Sequence, residues 1–144
     1  MAKFKFHLEP VLLQRTAKED AAEQALALAN NEYNKRRALL ENTKQRMEQV
    51  LLPGEKKLDV FETVHLSFYR ASLYEKIISQ KKDVGYAALT VERRRKETVQ
   101  ARQDRQVIEK LKDKRLQEYR REEESREQKI VDELALYTHL RLLK

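Results

Sequence analysis

Pro53 and Gly54 stand side by side in a chain that has only two prolines and two glycines, and everything on either side of them reads as uninterrupted helix. Proline lacks the amide that a helix interior needs, and glycine readily takes the positive φ that closes a turn. The pair therefore predicts one hairpin of two long helices, with helix one over about 8–51, a turn at 52–57 and helix two over about 58–142. The expected fold is all-α, an antiparallel two-helix coiled coil spanning 1–144 as a single unit, with a longer, projecting C-terminal helix.

Hydrophobic spacing supports this. A seam stepping alternately four and three residues reads Leu8, Leu12, Arg15, Glu19, Ala22, Leu26, Ala29, Tyr33, Arg36, Leu40, Thr43, Met47, Val50, and nine of its thirteen positions are apolar. In helix two the same stepping reads Leu66, Arg70, Leu73, Ile77, Gln80, Val84, Ala87, Val91, Arg94, Thr98, Ala101, Arg105, Ile108, with eight of thirteen apolar. A sustained average of 3.5 residues is the coiled-coil period. Pro10 suits a first turn, where its missing amide is not needed. Gly85 costs a helix about 1 kcal/mol relative to alanine, which a long helix absorbs.

Between Lys110 and Lys129 the seam loses its apolar character, and charges at helical spacing replace it: Lys114 with Glu118, Arg120 with Glu124, Glu122 with Arg126. Such i,i+4 pairs contribute about 0.2–0.5 kcal/mol each and let a helix stand in water. An apolar cluster follows, Ile130, Val131, Leu134, Leu136, Tyr137, Leu140, Leu142 and Leu143. Helix one offers about 44 residues and helix two about 85, so an excess of about 40 residues projects roughly 60 Å at about 1.5 Å per residue. Residues after about 102 are thus expected to have no partner within the chain, and Leu134 and Leu140 cannot reach Phe4 and Leu8 unless helix two breaks. An unpaired apolar end on a polar helix is a docking surface or a frayed terminus.

Composition excludes several classes. Charged residues make up 38% and aromatics 7%, with no tryptophan and no cysteine, so disulfides and thiolate metal sites are ruled out. The net charge of +7 arises from 31 basic residues interleaved with 24 acidic ones, a mild bias on a mixed surface. No apolar run approaches the roughly 18 residues of a membrane span, and the start has no signal-peptide core, so a cytoplasmic protein without membrane insertion is expected. Two isolated glycines cannot build a phosphate loop. His7, His65 and His139 lack metal-ligand spacing, and acidic runs such as Glu122–Glu124 have no walled pocket around them. Neither an enzyme nor a cofactor is expected. The run Arg93-Arg94-Arg95-Lys96 spreads around a helix instead of forming a stripe, so specific nucleic-acid binding is not favoured; a basic nucleic-acid-associated helical protein and a generic coiled-coil adaptor remain as alternatives.

The string Phe4-Lys-Phe-His-Leu-Glu-Pro-Val-Leu-Leu-Gln-Arg15 resembles the opening of the FliJ family of flagellar type III export proteins, and the length, the turn near 55 and the longer second helix agree with it. The resemblance implies a stalk and chaperone-escort component, similar to the central stalk of rotary ATPases. Its implied partners are the hexameric export ATPase, the regulator of that ATPase, the export gate and substrate chaperones. It also implies a peripheral location at the inner face of the membrane at the flagellar base, in a chain that is monomeric in isolation. Candidate contacts with the ATPase ring are Phe4, Phe6, Leu134, Tyr137, Leu140 and Leu143. The best match to the family's gate-contacting patch is Tyr69, Leu73, Ile77 and Gln80, with Tyr74 beside it; Lys76 and Gln80 depart from the residues seen in relatives. Leu73 and Ile77 also lie on the seam, so packing against helix one accounts for them equally well, and Tyr69 and Tyr74 flank it.

Overall fold

The computed structural model describes residues 3–52, 54 and 57–143; Pro53, Glu55 and Lys56 of the expected turn lie outside the described residues. Two helices account for almost all of the rest, α1 (Glu9–Leu51, 43 residues) and α2 (Val60–Leu142, 83 residues), and there is no strand among the described residues. α1 opens where the sequence predicts, with the Leu8 carbonyl accepting from the Leu12 amide at 2.9 Å and Pro10 in the first turn. Gly85 does not interrupt α2.

α2 starts two residues later than expected, with Asp59 as its N-cap. The Asp59 amide donates to Glu62 Oε2 at 3.1 Å, and the Thr63 amide donates to the Asp59 carbonyl at 2.9 Å. The Glu62 contact is one arm of a capping box, and Asp59 Oδ1 accepts from the Val60 amide at 2.7 Å, so donors that a helix start otherwise leaves unpaired are satisfied. No described glycine has a positive φ, and a Cβ at Gly54 would meet nothing within 4 Å.

All thirteen expected seam positions of α1, and all thirteen of α2 from Leu66 to Ile108, are buried or half-buried. The helices form the antiparallel two-helix coiled coil that this spacing predicts: partner numbers rise on one helix as they fall on the other. Residues 20–100 make one compact unit. In it Arg70 Nη2 donates to the Val50 carbonyl at 2.8 Å, Arg36 faces Asp83 at 3.8 Å, and Thr98 Oγ1 donates to the Ala22 carbonyl at 3.2 Å. Its core is Leu40, Leu73, Ile77, Ala87 and Val91. α1 has no basic residue in its last turn, so Arg70 brings from α2 the cation that the carbonyl end of a helix favours.

Residues 1–19 and 101–144 make the second unit. Here Arg15 pairs with Asp104 at 3.3 Å, Glu19 with Arg102 at 3.3 Å and with Arg105, and Glu9 with Lys112 at 2.8 Å. The Phe4 and Tyr119 rings meet with centroids 5.6 Å apart. Pairing thus runs on to Tyr119, and the expectation that residues after about 102 have no partner is wrong. The reason lies at the other end of α2. Arg70 lies opposite Val50, about ten residues into α2, so the helices are aligned further along α2 than the expectation had it. The extended segment before Glu9 adds a last contact at Tyr119.

Candidate functional site

Beyond that contact, every described residue from 124 to 143 is exposed. The helix persists there through its own charges: Arg126 lies 3.7 Å from Glu122, as the spacing predicts, and 3.3 Å from Glu123, while Glu118 takes Arg115 as a partner at 3.2 Å. Gln128 Nε2 donates to Asp132 Oδ1 at 2.8 Å. The apolar cluster then stands open to solvent, with Leu134 60%, Tyr137 67%, Leu140 64% and Leu143 70% exposed. Ile130, Leu134 and Tyr137 fall in one row of a helix, and Leu136, Leu140 and Leu143 in the next, so apolar surface occupies more than one face.

Phe4 and Phe6 do not join this cluster. Both are half-buried, and with Leu8 they line a groove against Leu111 and Tyr119. Fifteen positions of α2 separate Tyr119 from Leu134, or roughly 22 Å of helix rise. The expected ring-contact residues therefore form two places on this unit, a packed N-terminal segment and a bare helix end.

Of the expected gate-contact residues, Leu73 and Ile77 are buried core residues of the other unit. Gln80 is half-buried, and its Oε1 has no hydrogen-bond partner. Tyr69 and Tyr74 are 43% and 60% exposed. The seam position of Leu73 and Ile77 thus accounts for their burial, and the surface that remains accessible consists of the two tyrosines.

Sequence reasoning missed two features. Val60, Phe61, Val64 and Phe68 are exposed on the start of α2, ahead of Arg70. Phe61 and Phe68 sit seven apart off the seam, which is the signal that marks them. The second is the ion cluster around Glu19, the one buried carboxylate among the described residues, which receives hydrogen bonds from Arg102 and Arg105 while Arg105 also reaches Glu109. Glu19 and Arg105 both occupy charged seam positions, and that coincidence is the cue. Arg105 above all, with Arg102, holds the Glu19 carboxyl below the usual carboxylate range.

The basic run is spent locally: Arg93 and Arg94 pair with Glu97, and Arg95 with Glu92. Among the described residues no acidic or histidine cluster suits a metal ion, and no helix is long and apolar enough to cross a membrane. A protein-family model described as "Flagellar FliJ protein" matches residues 4–144. No curated protein and no solved structure matches the chain.

Proposed function

Since the chain belongs to the FliJ family, whose role is in flagellar export and which is not a family of enzymes, we propose that it is the stalk and chaperone-escort component of the export apparatus. It inserts its chain ends in the hexameric export ATPase and links that ring to the export gate. The observation that carries this reading is the bare end of α2, where Ile130 to Leu143 expose apolar side chains on a helix that its own ion pairs keep folded. A helix that is apolar on several sides favours a surround of protein, and a ring bore provides one. The charged stretch before it suits a bore as well, since small, mixed-sign contacts do not trap one orientation among six similar subunits.

In this reading Tyr69 and Tyr74 face the gate, whereas Leu73 and Ile77 hold the helix that presents them. The regulator of the ATPase and the substrate chaperones are further partners, and the place of action is the cytoplasmic side of the membrane at the flagellar base. The double variant Leu134→Asp/Leu140→Asp tests the ring contact. Its helicity and melting should stay near those of the parent chain, because neither side chain packs within the molecule, and co-sedimentation with the ATPase hexamer should be lost. Unchanged co-sedimentation sinks the ring-docking reading. Tyr69→Ala/Tyr74→Ala should weaken capture by the gate protein without affecting the ATPase.

A further inference from the structure

All five buried hydrophobic residues of the described chain lie within residues 20–100. Among the described residues of the other unit, the one that reaches burial is a carboxylate, Glu19. The contacts that hold α1 to α2 there include the Glu19 pairs with Arg102 and Arg105, Arg15 with Asp104, and Glu9 with Lys112, followed by the Phe4–Tyr119 ring contact. The apolar residues they flank, Leu8, Leu12, Ile108 and Leu111, are only half-buried. The Arg15–Asp104 and Glu9–Lys112 pairs are part-exposed and weakened by salt, the Glu19 pairs are lost when that carboxylate is neutralised, and apolar burial depends on neither.

We propose that Phe4–Leu8 and the first turns of α1 form a displaceable strap over the Ile108–Tyr119 face of α2, latched by charge and able to open while residues 20–100 stay paired. Opening uncovers Ile108, Leu111 and Tyr119 and lengthens the accessible apolar helix toward the Ile130–Leu143 end. The device is a property of the isolated chain and does not depend on which partner, if any, takes the bare helix end.

The chain has no cysteine, so paired spin labels are readily placed at exposed positions. Ala17→Cys with Val107→Cys reports on the strap, and Leu28→Cys with Leu89→Cys reports on the apolar unit. Raising NaCl from about 0.1 M to about 1 M shortens the Debye length from roughly 10 Å to roughly 3 Å. The short-distance population of the first pair should fall several-fold over that range while that of the second holds. Adding Glu19→Gln should produce the same loss in the first pair at the lower salt. A first pair that stays closed at about 1 M, loss of both pairs in step, or a closed strap in the Glu19→Gln chain at low salt overturns the proposal.

Discussion

Glu19 illustrates how a single seam position can be charged without breaking the coiled coil. Its carboxylate is buried, yet Arg102 and Arg105 supply hydrogen bonds and opposite charge, and Arg105 in turn is shared with Glu109. Since Arg105 chiefly lowers the Glu19 value in the folded chain, the pairing stabilises the fold above the unfolded carboxylate range and is lost as pH falls through the folded value. The melting difference between the parent chain and Glu19→Gln should therefore be clear at neutral pH and shrink as the pH falls below the ordinary carboxylate range, as read by circular dichroism. Gln80 shows the reverse case. Its buried Oε1 has no partner, and an unsatisfied buried acceptor costs about 1–3 kcal/mol. Gln80→Leu should raise the unfolding free energy by about 1 kcal/mol in urea titration; a loss of stability would mean that the amide is satisfied in solution.

At the scale of elements, the two helices are held by different means along their lengths. Where Leu40, Leu73, Ile77, Ala87 and Val91 meet, apolar burial fixes the pair; toward the chain ends, charge does. The length of α2 depends on local satisfaction instead. Asp59 and Glu62 cap its start, and Arg126 with Glu122 and Glu123 supports it after α1 has ended. Gly85 is the weak point of this helix by propensity alone. A Cβ there meets nothing within 4 Å, so Gly85→Ala should stabilise the chain by up to about 1 kcal/mol without altering contacts, and a decrease in melting temperature would reveal packing at that site. Helix type and seam face were legible in the sequence because the period of apolar residues fixes both. The helix register was not, because it depends on how α2 aligns with α1. Arg70 opposite Val50 marks that alignment, and no periodicity encodes it.

For the whole molecule, the exposed apolar residues at the two ends of α2 pose the question of self-association. The seam buries its apolar stripe within one chain, so sedimentation equilibrium at micromolar concentration should return the mass of a monomer. A concentration-dependent dimer would mean that Ile130–Leu143 or the Val60–Phe68 face takes a second copy. The candidate contacts were legible to different degrees. Exposure of Leu134, Tyr137, Leu140 and Leu143 follows from unequal arms, which the position of Pro53-Gly54 announces in the sequence. The packing of Phe4 on Tyr119 and the burial of Leu73 and Ile77 required the partner helix to be placed.

By itself the sequence determined two helices, the face each turns inward, their antiparallel pairing and the surplus length of the second, because spacing and turn residues act through local geometry. Only the tertiary structure decided how far pairing extends, that the surplus begins after Tyr119 and not near residue 102, and that the start of α1 is joined to residues 102–112 of α2 by ion pairs around Glu19. Those outcomes depend on how the helices align, and alignment arises from contacts between residues some twenty to over one hundred positions apart, from Arg70–Val50 to Glu9–Lys112.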